Sequence, residues 1–271
     1  MNAFQTPSAD ESAAPEAVPA APMQRDLIAG LEKGLAVIAA FDDERPRMTM
    51  SEVALQCGLT RAAARRYLLT LEHLGFVRSE RKMFSLTPKV LRLAQSYMSS
   101  ARLPRIVQPE LHKLAYTLKE ASSAGVLDGN DVICVAATTA GRAVSLTLQP
   151  GTRVPAYCTA NGRMLVASLP AAEVHAWIAR QRVNALTPGT VTSRDILREI
   201  LLQARQQGYA AVDQELEVGL RTLSVPLLSY RGEVLAAMNI SVHASRMTMD
   251  QLVENCLPPL LQAQADLRAV L

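Results

Sequence analysis

Three arginines occur close together within residues 60–71, in the sequence T-R-A-A-A-R-R-Y-L-L-T-L. Small residues separate them, so a helix formed by this segment could approach the floor of a DNA major groove. An arginine can present its fork to guanine O6 and N7, or it can neutralise a phosphate. An isolated string of this kind is also typical of a solvated helix face, so the flanking residues must distinguish between DNA binding and a solvated surface. The candidate DNA-binding residues of this segment are Thr60, Arg61, Ala62, Ala63, Arg65, Arg66 and Thr70.

The flanking residues predict a helix-turn-helix around these arginines. Thr49 and Glu52 have the spacing of a capping box at a helix start, and Gly58 can end that helix in the left-handed conformation. Thr60 can then cap the next helix, which ends at Gly75, and its first-turn amides can hold a phosphate. Apolar residues at helical spacing predict the packed stripe of this helix at Ala64, Leu68, Leu71 and Leu74. They also predict an amphipathic helix over residues 31–43 at Leu31, Leu35, Ile38 and Phe41.

Two short β-prone runs, 76–78 and 83–86, follow the second helix of the motif and flank the polar turn 79–82. A hairpin at this place is a wing, and Arg81 and Lys82 at its tip can contact the DNA backbone or the minor groove. Thr87 and Pro88 then open a further helix, which we expect to reach about residue 102 before Pro104 ends it.

The charge distribution agrees with this assignment. Residues 25–105 contain 14 Lys and Arg against 8 Asp and Glu, whereas residues 106–271 contain 14 of each. A basic excess confined to one part of a chain is expected where that part binds a polyanion. Together with the capping box, the turn and the wing, it favours DNA binding over a solvated helix face.

Residues 1–24 are rich in Ala and Pro and lack any basic residue, which predicts a disordered leader without a secretory signal. No apolar run is long enough to span a bilayer, so we expect no membrane association and a cytoplasmic, nucleoid-associated protein.

The remaining residues alternate predicted helices and strands, which indicates an α+β fold with an antiparallel sheet. The predicted strands cover residues 132–137, 143–148, 223–228 and 234–242. The predicted helices cover residues 160–182, 193–208 and 252–271.

Catalytic and metal-binding motifs are missing from the sequence. It contains no P-loop, G-x-G-x-x-G or H-E-x-x-H motif, and the four cysteines and four histidines are scattered without the spacing of a zinc site. We therefore expect no enzyme activity, no metal and no cofactor. A thiol nucleophile at Cys158 and a redox sensor at Cys57, beside the recognition turn, remain open alternatives.

Several segments together resemble the IclR family of bacterial regulators. They are residues 25–41 (R-D-L-I-A-G-L-E-K-G-L-A-V-I-A-A-F), the helix-turn-helix, and residues 86–93, 150–163, 213–227 and 236–242. The likeness covers about residues 25–271, and within the family it is greatest to the PcaR, PcaU and PobR branch, which regulates β-ketoadipate and aromatic-acid catabolism.

This resemblance implies four segments. They are a leader (1–24), a winged helix-turn-helix domain (25–87), a linker helix (88–104) and a GAF-like effector domain with a six-stranded antiparallel sheet (105–271). It also implies a small organic acid as effector, bound by Tyr157, Thr159, Ala160, Asn161, Gly162, Arg163, Arg221, Thr222, Ser224, Asn239 and Ser241.

Polar side chains in apolar strands and amides at a helix start suit an anion, and either Arg221 or Arg163 could pair with its carboxylate. The family often has His where this chain has Tyr157, and an aromatic side chain there could stack on an aromatic acid. These polar residues could equally be ordinary helix caps or satisfy backbone groups of the sheet.

The sequence therefore predicts a regulator, expected to be an activator, of genes for aromatic hydrocarbon catabolism. Its expected partners are an operator in double-stranded DNA, an aromatic or dicarboxylic acid and RNA polymerase. It should form a homodimer or a dimer of dimers, because reading two half-sites needs two recognition helices. A repressor of the same architecture, or an enzyme with an appended DNA-binding module, remains an alternative.

Overall fold

The computed structural model describes residues 26–42, 44–139 and 148–271, and the predicted leader lies outside them. The chain divides between Leu93 and Ala94 into two compact units, each with its own core. The elements of the first unit are α1 (Ala29–Ala39), β1 (Met48–Thr49), α2 (Met50–Gln56), α3 (Arg61–His73), β2 (Val77–Glu80), β3 (Met83–Leu86) and the start of α4 (Leu91–Ser100).

The helix-turn-helix is built as its capping residues predict. Thr49 and Glu52 form a reciprocal capping box at α2, and the Thr60 hydroxyl accepts a hydrogen bond from the Ala63 amide at 3.2 Å at the start of α3. Gly58 and Gly75 have φ values of 61° and 77°, the left-handed conformation that glycine adopts without a steric penalty.

The buried faces of the first unit differ in part from the predicted stripes. In α3, Ala64, Leu68 and Leu71 are buried, but Leu74 is 47% exposed. In α1 the prediction was wrong for Leu31 and Leu35, which are exposed, and the helix ends at Ala39 rather than Asp43. Val37 and Ala40 enter the core instead, because the helix presents a different face than the large leucines suggest.

The predicted wing is present as an antiparallel hairpin with a third strand beside it. β3 pairs with β2 on one side and with the short β1 on the other. Two residues, Arg81 and Lys82, form the tight turn, with φ values of 51° and 66°.

The predicted linker helix is interrupted. After Thr87, Pro88 begins a single 3₁₀ turn that leads into α4. The chain then becomes extended at Ala101, and α5 (Arg102–Leu118) follows. Pro104 therefore does not end a helix. It lies in the first turn of α5, where its missing N–H has no helical acceptor to lose.

The second unit is a six-stranded antiparallel sheet with helices on both faces. Its further elements are β4 (Ala121–Asp128), β5 (Asp131–Thr138), β6 (Arg153–Pro155), α6 (Ala160–Ser168), α7 (Ala171–Arg180), α8 (Arg194–Gln207), β7 (Ala210–Asp213), β8 (Leu220–Leu228), β9 (Val234–His243) and α9 (Met249–Arg268). The strand order is β6-β5-β4-β9-β8-β7, so the two halves of the sheet join where β4 pairs with β9.

Along the central strands, successive side chains point to opposite faces of this sheet. Apolar side chains such as Leu223 and Ile240 pack on one face against α5 and α9. Side chains at the intervening positions, including Ser224 and Asn239, face the side on which α6 lies. A second apolar cluster joins α6, α7 and α8 on that side.

Two predictions for this unit need correction or lie outside the description. The helix predicted over residues 160–182 is two helices, because Leu169 and Pro170 separate α6 from α7. Most of the predicted strand 143–148 falls within residues 140–147, which are outside the described residues. No helix in the described ranges combines the length and apolar character that crossing a membrane requires.

Candidate functional site

The DNA-reading candidates of the first unit lie on the outer surface of α3. Every one of them is exposed except Ala63, which is half-buried. Among the contacts between described residues, Arg61, Arg65 and Arg66 have no ion pair or side-chain hydrogen bond. Three guanidinium groups thus lie on the solvent side of one helix, and no described residue competes with a phosphate or a base for them.

Thr70 and the wing have more constrained roles. The Thr70 hydroxyl donates to the Arg66 carbonyl at 2.8 Å, so its proton is used within the helix. Glu72 accepts a hydrogen bond from the Ser79 amide at 3.1 Å, which ties the wing to α3. Arg81 and Lys82 remain exposed at the tip of this tied hairpin, where they can reach a phosphate backbone.

A cavity of the second unit lies between the polar face of the sheet and the start of α6. It comprises about 570 Å³ of empty space, its open mouth included. Six of the predicted effector residues line it: Thr159, Ala160, Asn161, Thr222, Asn239 and Ser241. These residues, which the family resemblance indicated, come from α6, β8 and β9 and are up to 82 positions apart in the sequence.

Two asparagines connect the helix to the sheet through buried hydrogen bonds. The Asn239 Oδ1 accepts from the Ser123 hydroxyl at 2.6 Å and from the Asn161 Nδ2 at 3.4 Å. The Asn161 Oδ1 accepts from the Ser224 hydroxyl at 2.6 Å. The Asn239 Nδ2 donates to the Ser241 hydroxyl oxygen at 3.0 Å. This network holds both amide groups in fixed orientations at the cavity wall.

The first turn of α6 supplies further donors. The Thr159 hydroxyl caps the helix by accepting from the Gly162 amide at 3.2 Å. The Ala160 and Asn161 amides precede it in the same turn, where no helical carbonyl can accept from them. Gly162 lies against the backbone of the preceding turn, since a Cβ there would stand 2.2 Å from the Ala156 carbonyl oxygen. Gly162, predicted as an effector-binding residue, does not line the cavity, and its missing side chain instead permits this close approach.

Both predicted carboxylate partners are engaged elsewhere, which corrects that expectation. Arg163 is 2% exposed, forms an ion pair with Glu215 at 2.7 Å and donates from Nε to the Tyr157 carbonyl at 2.9 Å. Arg221 pairs with Asp213 at 2.7 Å and donates to the Ala244 carbonyl at 3.0 Å. Neither arginine lines the cavity.

Tyr157 and Ser224 also differ from their predicted roles. The Tyr157 hydroxyl donates to the Asn184 carbonyl at 2.8 Å, and its ring is buried in the apolar cluster around α6, so it is not placed to stack on an acid in the cavity. Ser224 stands behind Asn161 and positions it without lining the cavity.

The sequence reasoning missed several lining residues, most of all those of β4 and β5. The run S-S-A-G reads as a loop, yet it lies within β4, where Ser123, Ala124 and Gly125 line the cavity. Alternation in the following strand could have suggested Val132 and Cys134. The remaining missed residues are Leu148, Val154, Cys158, Val212, Leu216 and Leu220.

The thiols at the cavity are not activated. Burial raises the pKa of Cys134 to about 11 and that of Cys158 to about 12. Burial also raises the pKa of Cys57, whose thiol donates to the Ala36 carbonyl at 3.7 Å. Reactive cysteines have lowered pKa values, so these environments disfavour both the nucleophile and the redox-sensor alternatives.

Two family models together match most of the chain. Residues 30–81 match the IclR helix-turn-helix domain, and residues 95–268 match the C-terminal domain of the bacterial transcriptional regulator IclR.

Relatives of similar length agree with these matches. The Pca regulon regulatory protein of Pseudomonas putida is 39% identical over 89% of this chain and 84% of its own. The p-hydroxybenzoate hydroxylase transcriptional activator of Acinetobacter baylyi is 36% identical over 90% of this chain and 92% of its own. The crystal structure of an IclR homologue from Microbacterium hydrocarbonoxydans, in complex with 4-hydroxybenzoate, has a TM-score of 0.73 at 24% identity, covering 89% of this chain and all of that one.

Proposed function

The chain belongs to the IclR family of bacterial transcriptional regulators, and from this premise we propose that it regulates genes of aromatic-acid catabolism in response to a small organic acid. The observation that carries the proposal is the combination of three arginines on α3, which pair with no described residue, and a cavity in the second unit with hydrogen-bonding side chains in its wall. The regulatory roles of the two curated relatives support the choice of aromatic catabolism.

Arg65 and Arg66 are proposed to read the operator, with Thr60 and the first turn of α3 on a phosphate and Arg81 and Lys82 on the adjacent backbone. Loss of one base-reading arginine should cost about 1–3 kcal/mol of binding free energy and relax the preference at one base pair. The test is a gel shift of Arg65→Ala and Arg66→Ala at fixed salt concentration. Arg180→Ala, which removes an exposed charge from the second unit, is the matched control. Wild-type affinity for the operator in both α3 variants would show that this helix does not read the DNA sequence.

The cavity between α6 and the sheet is proposed to bind the effector, either an aromatic acid or a ring-cleavage dicarboxylate. The 4-hydroxybenzoate bound by the Microbacterium homologue makes this acid the first candidate. A thermal-shift screen with aromatic and dicarboxylic acids tests the proposal, because a ligand that binds only the folded state raises its melting temperature. If no acid of either class raises it, the sensing role fails.

Activation is proposed rather than repression, on the precedent of the Acinetobacter relative, which is an activator. It would require contact with RNA polymerase and at least a homodimer, so that two α3 helices meet two half-sites. A reporter assay in a deletion strain separates the two modes. Expression that rises after deletion would identify a repressor, whereas loss of induced expression would identify an activator.

A further inference from the structure

We infer that the cavity recognises an acid with one carboxylate through neutral hydrogen-bond donors and rejects a dicarboxylate of the same shape. This inference rests on the proposed sensing function and narrows its ligand class.

The charges around the cavity are the first argument. Within residues 26–42, 44–139 and 148–271, none of the lining side chains carries a formal charge. The guanidinium groups of Arg163 and Arg221 are bound to Glu215 and Asp213. A bound acid therefore meets no cation from these residues, so the described lining can stabilise a buried negative charge only through hydrogen bonds.

The direction of the hydrogen bonds is the second argument. Both asparagine side-chain oxygens accept from protein donors, so their acceptor groups are largely occupied within the network. Each asparagine Nδ2 has two protons and, among the described residues, uses one of them in a protein contact. The Ser241 hydroxyl accepts from Asn239, and its own proton has no acceptor among the described residues. The network thus offers donors to the cavity, which is the complement of a carboxylate.

The N-terminus of α6 also favours a bound anion. A helix N-terminus is equivalent to about half a positive charge, and its Ala160 and Asn161 amides have no helical acceptor. This arrangement suits a single negative charge. The rest of the lining is mainly apolar, with Val132, Val154, Val212, Leu216 and Leu220. A second carboxylate would contact these side chains and lose its hydration without replacement.

Matched ligands separate charge from shape. We would titrate the full-length protein calorimetrically with terephthalate and isophthalate, and with 4- and 3-carbamoylbenzoate, in which an amide replaces one carboxylate. 4-Hydroxybenzoate serves as the reference. In each pair the carbamoyl acid should bind at least about tenfold more tightly than the dicarboxylate, because the cavity then buries one charge instead of two.

Variants test the donor network directly. Asn239→Asp keeps the acceptor oxygen but places a negative charge in the cavity, so affinity for 4-hydroxybenzoate should fall at least about tenfold. Ser241→Ala removes one donor to a charged group and should weaken binding about ten- to hundredfold. Ser122→Ala is the control, because Ser122 donates to the Leu111 carbonyl on the opposite face of β4. The affinity of this variant for 4-hydroxybenzoate should stay within about twofold of the wild-type value. Such a change is smaller than that expected from loss of a hydrogen bond to a charged group.

Arg142 belongs to the segment outside the described residues, so Arg142→Gln tests for a cation supplied from there. A tenfold loss of affinity in this variant would overturn the inference, as would dicarboxylates that bind as tightly as their carbamoyl partners. In either case the acid-sensing role would stand. Failure of every acid to bind the wild-type protein would instead contradict the sensing role itself, and the inference would fall with it.

Discussion

Arg163 of α6 and Glu215 form a buried ion pair in the second unit. An arginine near a predicted anion site suggests a ligand partner, but its exposed fraction of 2% and its bidentate contact with Glu215 identify a structural ion pair. Glu215 also accepts from the Val191 amide at 2.9 Å, so the pair ties α6 to two loops. No sequence signal separates these two roles, because the partner is 52 residues away.

Removing one member of this pair should destabilise the second unit strongly. Glu215→Gln or Arg163→Met leaves a buried group without its ionic partner, at a cost of about 3–5 kcal/mol. The double variant should lose less than the sum of the two single variants, since it leaves no uncompensated charge. Urea denaturation measures all three. Arg153→Met, which breaks an exposed ion pair with Asp128, should cost less than about 1 kcal/mol. Additive losses in the double variant would argue against a coupled pair.

Arg221 should now behave as a structural residue. Arg221→Ala should lower the melting temperature, because the side chain links β8 to the carbonyls of Ala244 and Met247, and it should leave ligand affinity unchanged. Calorimetry and thermal unfolding of the same sample distinguish the two effects. Loss of ligand affinity at an unchanged melting temperature would restore Arg221 as an effector residue.

The hydrogen bond from Arg221 lowers the pKa of Asp213 below its ordinary value of 3.8. A depressed carboxyl pKa stabilises the fold above the unfolded-state value, and this contribution disappears as the pH falls through the folded-state value. The melting temperatures of the wild type and Asp213→Asn should therefore differ at neutral pH and converge below about pH 4, near the ordinary carboxyl pKa. A difference that persists at lower pH would assign the effect to another group. Because Asp213 is partly exposed, we expect the difference to be small.

At the scale of elements, caps and glycines were the reliable signals. The boundaries of α2 and α3 follow from Thr49, Glu52 and Thr60, because local hydrogen bonds alone determine them. Elements that depend on tertiary contacts were missed or divided wrongly. Examples are β4, whose S-S-A-G run has low strand propensity, and α5, which contains Pro104 and Pro109. Tertiary packing overrides propensity in both.

The wing turn holds two residues that are unfavourable in its conformation. Arg81 and Lys82 both have positive φ, which costs a non-glycine residue roughly 1–2 kcal/mol. Replacing them by Asn and Gly, the preferred pair for this turn, should raise the stability of the first unit by about 1 kcal/mol or more. It should also weaken DNA binding, because two positive charges are lost. Thermal unfolding and a gel shift at several salt concentrations measure both effects. Stability gained without any loss of DNA affinity would show that the wing tip does not contact the operator.

The helix at the cavity depends on Gly162. Gly162→Ala would place a methyl group against three backbone atoms of Ala156, at 2.2 to 2.6 Å. Backbone cannot move aside as a side chain can, so α6 should shift and the second unit should lose roughly 1–3 kcal/mol, as is typical of overpacking. Ligand affinity should fall in parallel, since Asn161 moves with the helix. Ala167→Ser, at the far end of the same helix, is a comparison for general disturbance of α6. Unchanged ligand affinity in Gly162→Ala would show that Asn161 does not contribute to ligand binding.

At the scale of the whole molecule, the two units have separate apolar cores, and each should respond to its own ligand. In scanning calorimetry of the full chain, an acid at about a hundred times its Kd should stabilise the second unit by about 2.7 kcal/mol. Operator DNA should instead raise the transition of the first unit. Equal shifts of a single transition by either ligand would show that the chain unfolds as one cooperative body.

The composition of the cavity could be predicted only in part, for a reason of topology. Residues on α6, β8 and β9 stand in motifs that the family resemblance includes, so the sequence indicated them together. Ser123 could not be connected to Asn239 without the strand order, because 116 residues separate the two. That no charged side chain of the described residues lines the cavity could not be predicted either, because it depends on the pairing of Arg163 with Glu215 and of Arg221 with Asp213.

The pairing of β4 with β9 has a consequence for biosynthesis. The helix-turn-helix unit is complete once residue 93 has left the ribosome. The central strand pair of the sheet, β4 with β9, can form only after β9 has been synthesised. Non-local pairing of this kind is slow to form. A nascent chain would therefore present a finished α3 while its second unit still lacks the strand that carries Asn239. Any product cut short before that strand would retain the arginines proposed to bind DNA and lose part of the cavity proposed to bind the acid.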